Sequence, residues 1–383
     1  MNICIIAPRY PYKENMEYVF VKKLIDEWAK MGHHCTVITC FSTSAYRRGR
    51  ISYRPQYYRE QASPGNNVDI YCPRFISLGL NICGVSLNLW SSMRAIEKLM
   101  NQFDTHFDCI YCHFFSSSLL VYRYANRNSI PLFVATGEST VELLRKPYLG
   151  FNWSDYRKFT KGVVAVATKN KTEASELGMI DPIKCKVFPN GTNIQVFKPL
   201  DKSECRRRLS LPDDSFIISC VGTICERKGQ NRLLEAVRRI EDNNVKLLFL
   251  GPEPKVGSSS VEGEEILFKG LVDNQDLPIY LCASDVFCLP TRAEGCCNAI
   301  IEAMACGLPI ISSNMPFNWD VLDDSNSILV NSENIDDIAG ALSLLKSNLS
   351  RRAFLAKGAL NKAKELTIEQ RADNIMRFIY EQI

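Results

Sequence analysis

The chain has 383 residues with 46% hydrophobic and 23% charged positions, 20 Gly and 17 Pro. That length gives two domains of ordinary size, and the composition excludes a disordered or collagen-like chain. No apolar run reaches the ~18 residues that cross a bilayer, and the start, Met1–Tyr10, carries no basic leader, so a cytosolic chain is expected. Sixteen cysteines in such a chain are expected as reduced thiols serving as small hydrophobes.

The elements alternate in chain order. Asn2–Ala7 reads as a buried strand. Phe20–Met31 places Val21, Leu24, Ile25, Trp28 and Met31 at helical spacing, and Gly32 closes it. Cys35–Thr39 is a second strand. A loop rich in Arg, Tyr and Ser is expected over Ser42–Asn67. Strands follow at Ile70–Cys72, Phe107–Tyr111, Leu132–Thr136, Val163–Ala167 and Lys186–Phe188. The pattern restarts at Phe216–Val221, with a helix over Gln230–Ile240 and strands at Val245–Leu250, Ile266–Phe268, Val286–Leu289 and Ile310–Ser312. A helix is expected from Asn298 to Cys306, and Lys255–Glu264 reads as a mobile loop. Strands alternating with helices imply parallel sheets and right-handed crossovers. Two such series joined near Phe197–Leu200 give an α/β chain of two Rossmann-like domains, 1–198 and 199–366. Ligands are expected at the carboxyl ends of the strands, in the cleft between the domains.

Residues 1–200 hold 25 Lys and Arg against 15 Asp and Glu, so the first half is basic although the whole chain is only +4. Either the first half meets an anionic partner, or these are solvated faces. Cys109-Ile-Tyr-Cys112-His113 spells the covalent haem signature, but on an apparent strand of an unexported chain; neither haem nor zinc is expected.

The most informative segment is Leu289–Pro309. The chain leaves a strand, turns at Glu294-Gly295 and enters a helix ended by Gly307, in which Glu302 is the only charge. Burying that carboxylate is costly unless a hydrogen-bond donor meets it, and a ligand hydroxyl would do so. Backbone N–H groups at the helix start favour a phosphate. A sugar hydroxyl acceptor, then phosphates, then a ribose acceptor is the order a nucleotide-sugar needs. The alternative is a surface Glu302 with Glu294 merely suiting the helix dipole.

Glu294-x7-Glu302 followed by Ala303–Pro309 resembles the signature of family-4 retaining glycosyltransferases of the GT-B architecture. Val221-Gly222 with Arg227-Lys228-Gly229 looks like that family's diphosphate-gripping element. Val187–Gly191 and Phe197–Pro199 look like its interdomain passage, and Asp108–His113 like the strand whose His faces the donor sugar. Thr367–Ile383 looks like the closing helix that packs back on the first domain. The resemblance implies two parallel sheets facing across a cleft and a nucleotide-diphospho-sugar as substrate. It gives catalytic roles to His113, Arg227, Lys228 and Glu294, and donor contacts to Gly222, Thr223, Gly295, Cys296, Cys297, Asn298 and Glu302. Arg227 and Lys228 would neutralise the diphosphate, Glu294 hold sugar hydroxyls, Glu302 the ribose, and His113 a sugar hydroxyl or the reacting centre. Glu138 and Ser139 are acceptor-side candidates. Thr223 stands where the family commonly has Arg, and Tyr12–Phe20 lacks the family's Gly-rich loop.

The implied reaction transfers a sugar with retained configuration to a glycan or a lipid-phosphate-linked acceptor, as in surface-polysaccharide assembly, with no metal or cofactor and no nucleic-acid partner. The rivals are a dinucleotide-dependent oxidoreductase, disfavoured because no G-x-G-x-x-G follows a strand, and a non-catalytic sugar-nucleotide-binding protein. Arg47, Arg48, Arg50, Arg54 and Arg59, with four nearby tyrosines and the apolar stretch Leu78–Trp90, suggest peripheral binding to the anionic inner face of a membrane. The competing reading makes the arginines solvated and Leu78–Trp90 part of the first domain's core.

Overall fold

Runs such as Asn2–Ile6 and Phe216–Val221 are apolar on both faces, as strands covered by helices on both sides must be. In the computed structural model they form the centres of two compact units, Met1–Phe188 with Arg371–Ile383, and Pro189–Gln370. The structure describes residues 1–13, 17–77, 81–82, 85–142, 150–253 and 261–383. Leu78 and Leu80 of the apolar stretch, Glu14–Met16 of the Gly-poor segment, and Lys255–Ser260 of the expected loop lie outside the described residues.

Unit 1 is built on an eight-stranded sheet. Its order is Cys185–Val187, Gly162–Ala165, Leu132–Thr136, Cys109–His113, Asn2–Ile6, His34–Ile38, Asn66–Tyr71 and Tyr57–Ser63. Every pairing is parallel except the last. The chain runs outward from Asn2–Ile6 in one direction and from Cys109–His113 in the other. The crevice at this reversal lies beyond the carboxyl ends of those two strands. Helix Val19–Lys30 buries Val21, Leu24, Ile25 and Trp28, the face its sequence periodicity marks. Trp28 Nε1 donates to the carbonyl of Ala372 (3.1 Å), and Phe378 packs edge-on against Phe133. These contacts hold Arg371–Ile383 in unit 1.

Unit 2 has a six-stranded, all-parallel sheet. The order is Ile266–Gly270, Val245–Leu250, Phe216–Val221, Val286–Leu289, Ile310–Ser313 and Ser327–Val330. Its reversal falls between Phe216–Val221 and Val286–Leu289, which aims Gly222-Thr223 and Pro290–Glu294 at one crevice. The break between units comes at Phe188/Pro189, earlier than the expected 198/199. Asn190, Thr192 and Phe197 are bound into unit 2 by a hydrogen bond to Cys296, a bridge to Thr367 and core packing.

Two expectations are corrected. Ser42–Asn67 is not a loop: it contains helix Thr43–Arg47 and strand Tyr57–Ser63, the latter antiparallel to Asn66–Tyr71 across a turn at Gly65. The strand was hidden because it lies at the sheet edge, half-exposed, with Arg59 and Glu60 in it. Second, the strand expected at Phe107–Tyr111 lies at Cys109–His113. It puts Cys112 on one face with Cys4 and Ile110; the alternation of a strand puts Cys109 on the other, so the two thiols do not converge on one ligand. Strand Ser327–Val330 and the start of helix Leu87–Met100 at Leu87 also went unread.

Candidate active site

In unit 2, strand Phe216–Val221 ends at Gly222, and a turn carries the chain to helix Gln230–Arg239. Gly229 is that helix's N-cap in the left-handed region (φ 82°). A Cβ there would lie 2.4 Å from the carbonyl oxygen of Pro290, so only glycine lets the two crevice segments come this close. The Arg227 carbonyl accepts from Arg292 N (2.8 Å) and Thr291 Oγ1 (3.2 Å). Gln230 Nε2 donates to the carbonyls of Gly222 (3.3 Å) and Thr223 (3.2 Å).

This framework brings three predicted residues together. Glu294 Oε1 accepts from Lys228 Nζ at 2.8 Å, Arg227 Nη1 at 2.6 Å and Thr291 Oγ1 at 2.9 Å. The Lys228 and Glu294 side chains are 11% and 12% exposed, while Arg227 is 42% exposed. Burial opposes the Lys228 charge, but the neighbouring Cys297 sulfur and Glu294 carboxylate outweigh it and raise its pKa, so Lys228 is a cation at neutral pH. Its Nζ lies 4.0 Å from Cys297 Sγ, and its stem crosses Gly222, where an added Cβ would stand 3.1 Å from Cε. Sequence reasoning assigned Glu294 to sugar hydroxyls alone and missed Thr291, three positions before it, which orients the carboxylate. It also missed Gln230.

Helix Asn298–Ala305 starts beside Lys228. Its N-cap, Cys297, is extended and gives no side-chain cap, and its first turn holds no acid. The N–H groups of that turn, with Lys228 and Arg227, form a positive corner suited to phosphate oxygens. Asn298 Oδ1 is buried without a hydrogen-bond partner. Asn190 Nδ2 donates to the Cys296 carbonyl (2.9 Å) and fixes the Gly295-Cys296 loop. Glu302 is buried, four residues into the same helix.

In unit 1, His113 ends its strand at the sheet reversal. Its ring is buried, Nε2 lacks a partner, and burial, with the Arg371 charge adding, lowers its pKa to about 3. The imidazole is therefore neutral at physiological pH. Phe114 follows at φ 71°, ψ 154°, a sparsely populated conformation for a non-glycine residue that costs ~1–3 kcal/mol and is characteristic of functional sites. Glu138 is tied inward: it accepts from Thr136 Oγ1 (2.6 Å), Gly137 N (2.8 Å) and Phe115 N (3.3 Å), which seats a carboxylate at the start of helix Phe115–Arg127. The Ser139 carbonyl accepts from Lys169 Nζ (2.7 Å). A cavity of about 270 Å³ opens beyond strands Asn2–Ile6 and His34–Ile38, lined by Tyr12, Phe41, Tyr53 and Phe75 with Arg9, Glu17 and Arg54.

Comparison with known proteins decides what these units are. Residues 19–196 match the family description "Glycosyltransferase Family 4", and residues 215–348 match "Glycosyl transferases group 1". The chain belongs to the family-4 glycosyltransferases. The glycosyltransferase is 26% identical over 359 residues to the Bacillus subtilis protein named for teichuronic acid biosynthesis, glycosyltransferase TuaC, covering 89% of this chain and 88% of that one. It is 27% identical over 270 residues to the Escherichia coli UDP-Gal:alpha-D-GlcNAc-diphosphoundecaprenol alpha-1,3-galactosyltransferase, covering 66% and 69% of the two chains. Among solved structures it is similar to sucrose-phosphate synthase from Thermosynechococcus elongatus (TM-score 0.76, 17% identity, 100% and 99% covered). It is also similar to Anabaena HepE in complex with UDP and glucose (TM-score 0.70, 14% identity, all of both chains covered). The glycosyltransferase thus has the GT-B fold.

Proposed function

We propose that this glycosyltransferase moves a sugar, with retained anomeric configuration, from a nucleotide-diphospho-sugar to a glycan or lipid-diphosphate-linked acceptor in surface-polysaccharide synthesis. The observation that carries this reading is the Lys228–Glu294–Arg227 cluster at the uncapped start of helix Asn298–Ala305. Breaking the bond to a diphosphate leaving group builds negative charge on its oxygens. Preorganised cations and N–H groups at that place stabilise the transition state more than the ground state. An ammonium has three N–H donors; one of Lys228's serves Glu294, so the carboxylate aims the cation rather than consuming it. Glu302 would take the ribose hydroxyls. The neutral His113 offers its unpartnered Nε2 to a donor-sugar hydroxyl. Front-face attack, with the leaving phosphate as base, needs no metal.

The acceptor side of the proposal is the aromatic cavity of unit 1, whose tyrosine and phenylalanine faces suit sugar rings. The names of the teichuronic acid and diphosphoundecaprenol relatives support such acceptors. Among the described residues no helix is long and apolar enough to cross a membrane. For peripheral binding on the inner face, the structure narrows the basic set. Arg54 donates to the Tyr10 carbonyl and Arg59 pairs with Asp69, which leaves Arg47, Arg48 and Arg50 exposed at the end of helix Thr43–Arg47. Thermal-shift measurement across UDP-, GDP-, ADP- and CDP-sugars tests the donor. A ligand at 100 times its Kd adds ~2.7 kcal/mol, and no shift with any of them would sink the proposal. Co-sedimentation with anionic and neutral vesicles tests the membrane arm; equal recovery with both counts against it.

A further inference from the structure

Behind the Lys228–Glu294–Arg227 cluster lies a buried cation with no part in the chemistry above. Arg232 is the third residue of helix Gln230–Arg239, and its side chain is 9% exposed. Both settings oppose a positive charge. The start of a helix carries a partial positive charge of its own, and burial strips the guanidinium of water. Acceptors from three separate segments offset this. Arg232 Nη2 donates to the Pro290 carbonyl (2.8 Å), Nη1 to the Glu226 carbonyl (3.0 Å) and to Glu226 Oε1 (3.1 Å), and Nε to the Ser332 carbonyl (2.7 Å).

The first two segments are the two sides of the crevice. Glu226 immediately precedes Arg227 and Lys228, and Pro290 immediately precedes Thr291, which orients Glu294. Ser332 lies beyond the carboxyl end of strand Ser327–Val330, so the third bond ties both sides to the sheet. A planar fork of donors in fixed directions can hold three carbonyls at set separations; a single ammonium or an apolar side chain cannot. The turn is shaped around this fork, since a Cβ on Gly229 would stand 2.7 Å from Arg232 Nη2.

We propose that Arg232 is a positioning residue for sugar transfer: it sets the separation between the Arg227-Lys228 turn and the Thr291–Glu294 loop, and acts on the reaction only through the Lys228–Glu294 cluster. The kinetic consequence rests on the glycosyltransferase reading; the clamp itself does not.

The test uses the full chain with Arg232→Met, which keeps the stem without donors, and Arg232→Lys, which keeps the charge without the fork. Hydrogen exchange, with no nucleotide-sugar present, reads the clamp. The amides of Gly222–Gly229 and Pro290–Gly295 should exchange faster in the Met variant, while strands Phe216–Val221 and Val286–Leu289 keep their protection. Unchanged exchange in both loops would overturn the proposal. Kinetics with the nucleotide-sugar found by thermal shift reads the positioning. A misplacement of ~1 Å costs ~10²-fold in rate, so kcat should fall by about that factor with KM near the parent's. The Lys variant should fall nearly as far, and its recovery to the parent rate would overturn the role of the fork. Should the Met variant fail to melt cooperatively, the Lys variant carries both measurements. In a Lys228→Met background, adding Arg232→Met should cost little more, because the group it positions is gone. Losses that multiply in full would show that Arg232 acts on the fold at large. The exchange measurement needs no sugar donor, so its failure stays distinct from a failure of the proposed function.

Discussion

Replacing Lys228 with Met removes the buried ammonium and keeps the stem that crosses Gly222. The structure fixes how much stability this costs. Stripping one partner from a buried ion pair costs ~3–5 kcal/mol when the other charge is left alone. Glu294 is not left alone: Arg227 Nη1 at 2.6 Å and Thr291 Oγ1 at 2.9 Å still donate to it. The loss is therefore that of a charge-assisted hydrogen bond, ~1.5–3 kcal/mol. The Arg227 pair is partly exposed and adds little by itself. Turnover should fall much further, because a donor aimed at developing charge is worth ~10²–10³ in kcat. Steady-state kinetics with the donor identified by thermal shift, alongside thermal melts, gives both numbers. The expected outcome is a folded variant with a small fall in Tm, KM close to the parent and kcat down by about two orders of magnitude or more. A raised KM with kcat unchanged would refute the reasoning, since it shows uniform binding.

Three further outcomes follow from single residues. Glu302→Ala should weaken nucleotide-sugar binding by ~1.5–3 kcal/mol in calorimetry while the helix persists, Ala being a good helix former; undiminished affinity removes the ribose role. The unfolded chain protonates His113 near its ordinary 6.5, and the folded chain resists to about 3. The unfolded state therefore binds more protons between those values, and stability falls as pH drops, by up to ~1.4 kcal/mol per unit. His113→Gln should flatten that part of the urea-midpoint profile below pH 6.5, and an unchanged profile contradicts the burial argument. Gly229→Ala places a Cβ against the Pro290 carbonyl at positive φ; left-handed backbone alone costs ~1–2 kcal/mol, so a clear drop in Tm is expected, and an unaltered melt would show that the turn has slack.

Strands that are apolar on both faces, such as Phe216–Val221 and Val245–Leu250, announce themselves by composition, and so does the amphipathic helix ending at Gly32. Tyr57–Ser63 does not, because an edge strand keeps one side wet and carries charges that read as loop. In the site, the residue types were legible but their partnerships were not. Arg227 and Glu294 are 67 positions apart, and only the sheet reversal brings them into one crevice. Glu138 was visible as a carboxylate after a strand, yet its bonds to Thr136, Gly137 and Phe115 depend on where the next helix begins. The haem-like spacing failed for the opposite reason: a strand, unlike a turn, sends Cys109 and Cys112 to different faces.

The central claim is a sugar leaving a nucleoside diphosphate with its configuration kept. Proton NMR of the reaction with the stabilising nucleotide-sugar and a diphosphate-lipid-linked saccharide acceptor reads it directly. The account predicts that nucleoside diphosphate is released and that the new glycosidic signal has the donor's anomeric configuration. An inverted anomeric signal, or no consumption of any nucleotide-sugar, would contradict it.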